Sequence, residues 1–163
     1  MKLGILGTLT LAVMLSSQLA FAETVKIGFV TTLTGGAGAI GNDMRDAVEL
    51  ALDHLGRKMG GSDVEMFYED DTFKPAVGKQ KTEKLVKKDK VHFVGGYIWS
   101  HVLMASRNSA VGKGPFMITS NAGPGPVAGK LCHEDFFSTS WQNDQTTMAM
   151  GEVLNQLGVK RLY

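Results

Sequence analysis

The chain has 163 residues, of which 44% are hydrophobic and 20% charged, and its formal net charge is +1. Such a composition belongs to a globular chain with a sizeable core and excludes a disordered or fibrous one. The near balance of charge leaves no strong field to draw in nucleic acid or an anionic membrane, so neither is expected as a partner.

The first 22 residues read as a secretory signal peptide. Lys2 supplies a short positive region, an apolar run follows from Leu3 to Leu15, and Ala20-Phe21-Ala22 forms an A-x-A cleavage site. The apolar run is too short for a membrane span, which takes roughly 20 residues. Cleavage after Ala22 removes Lys2 and leaves a formally neutral piece. No cysteine stands near the cleavage site to carry a lipid, so the expectation is a periplasmic protein free in solution.

Val25–Thr31 is a short apolar run rich in β-branched residues and predicts a strand. Met44, Ala47, Val48, Ala51, Leu52 and Leu55 then recur at helical spacing, with Asn42 or Asp43 as cap and Gly60-Gly61 as the stop. "VEMFYEDD" predicts a second strand. Residues 74–90 predict a second helix, with Pro75 in its first turn. "VHFVGGY" predicts a third strand, and "SHVLMASRNSAVGK" a third helix capped by Ser100. "PFMITS" predicts a fourth strand, "FFSTS" a short extended piece, and "DQTTMAMGEVLNQLG" a fourth helix ending at Gly158. "VKRLY" reads as the start of a further strand, which would cut the chain inside a strand at Tyr163 and make it a fragment. The alternation implies βαβ units: an α/β fold with a parallel sheet and helices on both faces.

Gly36, Gly38 and Gly41 form a literal G-x-G-x-x-G. A dinucleotide fingerprint would start at the end of the first strand and carry an acidic residue about 20 positions on. Here Thr31 to Thr34 intervene, and the acidic candidates Glu69, Asp70 and Asp71 come too late. The glycines are better explained by positive φ or a close backbone approach, so no cofactor is expected. Asp70 and Asp71 lack a third ligand nearby in sequence, and the four histidines have no metal-ligand spacing, so no metal is expected either. No nucleophile motif or catalytic set can be assembled. Cys132, the only cysteine, has no internal partner and is expected to be a buried or half-buried thiol. The seven lysines of residues 74–90 read as a solvated helix face.

Ligands of open α/β sheets bind beyond the carboxyl ends of the strands. Three loops meet there: "TLTGGAGAIG", "GGYIWS" and "TSNAGPG". They bring Ser100, Asn121, the backbone N–H groups of Ala122 and Gly123, and the N-terminus of the third helix, a set suited to a carboxylate. Ile40 and Trp99 add apolar surface, and Trp141 and Gln142 begin the loop before the fourth helix.

These segments resemble the N-terminal lobe of a type I periplasmic binding protein, in the leucine/branched-chain amino-acid receptor family of ABC importers. The resemblance runs from Val25 to Tyr163, so residues 23–163 read as that lobe. It rests on "KIGFVTTLTGGAGAIGNDMRDAVELALDHL", "YEDDTFKPAVGKQKTEKLVKKDKVHFVGG", "WSHV" and "FMITSNAGP". It implies Ile40 against the ligand side chain, Ser100 on its carboxylate, and Asn121 to Gly123 as further contacts. Two departures stand out. The family's amino-acid receptors usually carry a hydroxyl at the place of Gly123, and often a disulfide where Phe73 and Trp99 stand here. Both tilt the expected ligand from an amino acid toward an apolar or aromatic carboxylate, and "FFSTSWQNDQ" resembles relatives thought to take aromatic acids.

The function so implied is not enzymatic. It is the substrate-binding component of an ABC importer: a small-molecule ligand, a membrane permease as partner, and a monomer when full length. Two alternatives stay open, an exported α/β hydrolase-type enzyme and a ligand-sensing receptor domain of the same fold.

Overall fold

A computed structural model of the chain describes residues 23–161. The expected signal peptide, residues 1–22, lies outside them. Six strands form one sheet: β1 (Val25–Thr31), β2 (Lys58–Met59), β3 (Ser62–Asp70), β4 (Phe93–Gly96), β5 (Phe116–Thr119) and β6 (Phe136–Ser138). Their order is β2-β3-β1-β4-β5-β6. All pairings are parallel except β2 with β3, a hairpin turning through Gly60 and Gly61, both at positive φ. Among the described residues the α-helices are α1 (Gly38–His54), α2 (Pro75–Lys84), α3 (Ser100–Ala110) and α4 (Asp144–Gln156). The expected fold class is the one observed.

One face of the sheet holds the core. Val30, Val94 and Met117 point there from neighbouring strands and pack with Leu85, Val102 and Leu103 from the α2–α3 layer. Gly28 lies under Leu85, whose side chain fills the space where a Cβ would be. The other face carries Ile27, Phe29, Phe93 and Ile118, with α1 covering part of it. Leu52 of α1 is buried, but Leu55 stays exposed, as do Phe116 and Phe137 further along the same face. Among the described residues no helix is long and apolar enough to cross a membrane.

Several expected boundaries move, each for a local reason. Helix α1 begins at Gly38 rather than near Asn42, with Ala37 at its N-cap. Asn42 is therefore inside the helix, where its amide donates to the carbonyls of Leu33 and Gly38. Ser100 is the first residue of α3 and not its cap; Trp99 takes that position in extended conformation. The second helix loosens at its end: after Lys84, Leu85–Asp89 is a π-helical turn that ends at Lys90 in the left-handed region. The lysine face is less free than expected, since Lys81 and Lys84 both pair with Glu69 of β3. Cys132 is exposed rather than buried, because it lies in the irregular turn after the 3-10 segment Gly125–Ala128. Val159–Arg161 form no strand, and Leu162 and Tyr163 lie outside the described residues.

Helix α4 has no buried residue, and Met148, Met150, Val153 and Leu157 are exposed along it. It follows β6 without docking on the sheet.

Candidate functional site

The strand order fixes where a ligand can sit. The chain leaves β1 toward β3 on one side and returns to β4 on the other, so the loops after β1 and β4 diverge and open a crevice between them. Thr32 and Trp99 meet in that gap. The indole N–H of Trp99 donates to the Thr32 hydroxyl at 2.9 Å.

The first loop is shaped by glycines whose neighbours are the chain itself. A Cβ on Gly41 would run into the Thr32 carbonyl, and one on Gly38 would sit 2.8 Å from the Leu33 oxygen. Gly36 has open space around it. Only Gly35 of this stretch has positive φ. The G-x-G-x-x-G therefore lets helix α1 press against the end of β1. Asp70 pins the loop from β3, accepting from the Leu33 N–H and the Thr34 hydroxyl. Burial pushes the Asp70 carboxyl up, but these donors and the Thr72 N–H hold it below the ordinary aspartate range.

The loop after β4 is built around Tyr97, fully buried at positive φ. Its phenol shares a hydrogen bond with Thr82, and burial drives its pKa well up. The next residues carry the aromatic surface. Trp99 meets Phe73 edge to face, with ring centroids 4.7 Å apart, and His101 joins Phe73 at 5.0 Å. Thr72 and Phe73 both sit in the left-handed region, held there by carboxylates that accept from their N–H groups: Asp70 for Thr72 and Asp71 for Phe73. Asp70 and Asp71 thus serve the turn, and among the described residues no group of three or more His, Cys, Asp or Glu is placed to hold a metal ion.

The loop after β5 is tied to the loop after β4. Asn121 donates its amide to the Ile98 carbonyl at 2.9 Å. The Ala122 N–H, expected to be free, donates to the Tyr97 carbonyl at 2.9 Å, because β5 and β4 run on in register past their ends. Gly123 is buried, and its carbonyl accepts from the Asn143 N–H. A side chain at 123 would strike the Trp141 carbonyl. Asn143 in turn donates its amide to the Ser100 hydroxyl at 2.9 Å.

Hydrogen bonds thus join Ser100 to Gly123 through Asn143, and tie Asn121 and Ala122 to Ile98 and Tyr97 of the loop after β4, while Trp99 bonds to Thr32. Gly123, Trp141 and Gln142 also line a cavity of about 300 Å³, together with Phe136, Ser138 and Ser140. Trp99, Ser100 and Asn121 lie outside that cavity's lining. Trp141 is 58% exposed. Ile40 stands apart, 46% exposed in the first turn of α1 rather than in a loop. Three residues of the edge escaped sequence reasoning, Thr32, Asp71 and Asn143, whereas the resemblance had already set Phe73 beside Trp99. Asn143 had a signal, since it stands directly before the helix that begins at Asp144.

A family model described as periplasmic binding protein matches residues 24–163. The Leu/Ile/Val-binding protein BraC3 of Rhizobium johnstonii is 30% identical over 119 residues, covering 69% of this chain and 32% of the relative. The Leu/Ile/Val-binding protein homolog 6 of Brucella abortus (strain 2308) is 25% identical over 149 residues, covering 91% of this chain and 38% of the relative. Among solved structures, an R. palustris ABC transporter solute-binding protein in complex with benzoate superposes with a TM-score of 0.78 at 28% identity, over 85% of this chain and 38% of that one. The chain thus spans well under half the length of the relatives it matches. Sequence match and fold agree, and the chain belongs to the type I periplasmic binding proteins, in the branched-chain amino-acid receptor family.

Proposed function

We propose that this chain is the ligand-capturing part of an exported solute-binding protein that serves an ABC importer. Its ligand is a small carboxylate with an apolar or aromatic body. The observation that carries the reading is Trp99 at the switch-point crevice, stacked edge to face on Phe73 and directly preceding the N-terminus of α3. The first N–H groups of α3 have no intrahelical partner and no side-chain cap, which favours an anionic group in front of them. The Ser100 hydroxyl stands at the same point, so a carboxylate can be met by N–H and O–H donors while its body lies on the aromatic pair.

Gly123 bears on the choice between acid and amino acid. The space that a hydroxyl side chain would need is filled by the Trp141 backbone. An α-amino group thereby loses one polar partner, and an acid without one loses nothing. The benzoate-bound relative of R. palustris supports the same direction, whereas the names of the Rhizobium and Brucella relatives support leucine, isoleucine or valine. Export by the residue 1–22 signal, delivery to a membrane permease and a monomeric state complete the proposal.

The test is a thermal-shift panel on the full-length product of the gene, with benzoate, 4-hydroxybenzoate, leucine and isoleucine. A ligand at about 100 times its Kd adds roughly 2.7 kcal/mol and moves the transition clearly. A shift with the aromatic acids alone supports the reading. A shift with leucine or isoleucine alone replaces it with an amino-acid receptor. No shift with any of them sinks the proposed ligand class.

A further inference from the structure

Trp99 is held by a closed circuit of contacts that runs behind the crevice. Its indole N–H can only donate, and it donates to the Thr32 hydroxyl. That hydroxyl has one proton, which goes to Asp71 Oδ1 at 2.5 Å. The same oxygen accepts the Phe73 N–H at 2.9 Å, and the Phe73 ring returns to Trp99, nearly perpendicular to the indole with centroids 4.7 Å apart. Thr32 and Asp71 are 1% and 0% exposed, so neither reaches the crevice surface. The other oxygen of Asp71 is buried without a hydrogen-bond partner among the described residues. A buried carboxylate with an unused oxygen is costly, and packing alone would favour an apolar residue there.

The direction of each hydrogen bond explains the choice of residues. A hydroxyl at 32 can accept from the indole and donate onward, which a side chain of the same shape without one cannot, and only an acceptor at 71 can take both that proton and the Phe73 N–H. We infer that Thr32 and Asp71 are positioning residues, which fix the tilt of the Trp99 indole and seat Phe73 against it, so that the crevice presents a preformed aromatic platform. The inference rests on the proposed ligand site for its purpose, and not for its geometry. Preformed platforms bind more tightly because less freedom is lost on binding.

The experiment compares Thr32→Val, which keeps the shape and removes the hydroxyl, with Thr32→Ser, which keeps the hydroxyl. Both are made in the full-length gene product. Near-ultraviolet circular dichroism and iodide quenching read Trp99 in a background where Trp141 is phenylalanine and any tryptophans beyond residue 163 are phenylalanine too. Isothermal titration with benzoate is run with the native tryptophans in place. The expected result is loss of the sharp indole band and freer quenching in Thr32→Val, with Thr32→Ser close to native. Benzoate should bind about tenfold more weakly to Thr32→Val, the equivalent of one net hydrogen bond. A Trp99 signature in Thr32→Val identical to native overturns the inference, and so does a Thr32→Ser variant as perturbed as Thr32→Val. Should Thr32→Val not fold, Trp99→Phe with intact Thr32 decides by the titration: unchanged benzoate affinity overturns it, and a loss supports it. Should native protein ignore benzoate, the proposed ligand fails, while the spectroscopic arm still decides the positioning role.

Discussion

The carbonyl oxygen of Thr32 occupies the place that a side chain on Gly41 would take. Helix α1 can approach the end of β1 only because that side chain is missing. Gly41→Ala should therefore destabilise the protein by about 1–3 kcal/mol, since the obstacle is backbone and cannot rotate away. That cost exceeds the gain in helix propensity of about 1 kcal/mol. Gly36→Ala, with open space and ordinary φ, should change stability by less than about 0.5 kcal/mol. Urea denaturation of the two variants checks both. A damaging Gly36→Ala beside a tolerated Gly41→Ala would mean that the glycine motif faces a ligand and not its own strand.

Gly123 stands in the same relation to Trp141. A serine or threonine at 123 is the change that would bring this loop toward the expected amino-acid receptor pattern. Here it should push residues 141–142 aside, break the Asn143 N–H to Gly123 carbonyl bond, and cost about 1–3 kcal/mol. Gly123→Ser alone should not create a leucine response in a thermal-shift assay. A stable Gly123→Ser protein that now responds to leucine would show that the glycine itself sets ligand choice.

These two glycines mark how far the sequence could be read. The alternation of elements, the limits of β1 and the stop of α4 at Gly158 were legible, because apolar period and turn residues act locally. Gly41 was legible as a close backbone approach, but the identity of what approaches it was not, because its neighbour Thr32 is nine positions away across a loop. Ser100 looked like a cap because residue type suggests a cap but does not say which residue turns extended; Trp99 does. The edge residues Ser100, Asn121 and Gly123 were found from strand ends alone. Thr32 and Asp71 were not, and Phe73 was set beside Trp99 by the resemblance alone, since their roles depend on β3 lying beside β1, a pairing no local pattern encodes. Asp71 in particular reads as surface charge in sequence and is fully buried in the fold.

Glu69 gives the fold a pH dependence with a definite sign. Burial pushes its carboxyl up, but Lys81 at 2.7 Å and Lys84 hold it below its ordinary value of 4.5. A carboxylate lowered in the folded state contributes stability that is complete above its unfolded value. That contribution is lost as pH falls through the lower folded value. Glu69→Gln should cost about 1–2 kcal/mol at neutral pH, toward the low end for hydrogen bonds to charged groups because both lysines are partly exposed to screening solvent. The gap between native and variant should narrow as the pH is taken below about 4.5. Chemical denaturation across that range measures it, and a gap that stays constant with pH would rule out the ion pairs as its source.

Thr72 is the clearest point of stored backbone strain. It is exposed, β-branched and held at φ +49, followed by Phe73 at φ +63. The left-handed region is unfavourable for both, most of all for a β-branched residue. The turn persists because Asp70 and Asp71 each accept an N–H from it, and because Phe73 must reach Trp99. Asparagine tolerates this conformation far better than threonine and keeps the N–H that Asp70 needs. Thr72→Asn should then raise stability by up to about 1 kcal/mol, read as a higher urea midpoint with unchanged slope. Thr72→Val, equally branched, should give no such gain. If Thr72→Asn lowers the midpoint instead, the threonine methyl or hydroxyl holds the turn by a contact of its own, and the carboxylates are not what keeps Phe73 in place.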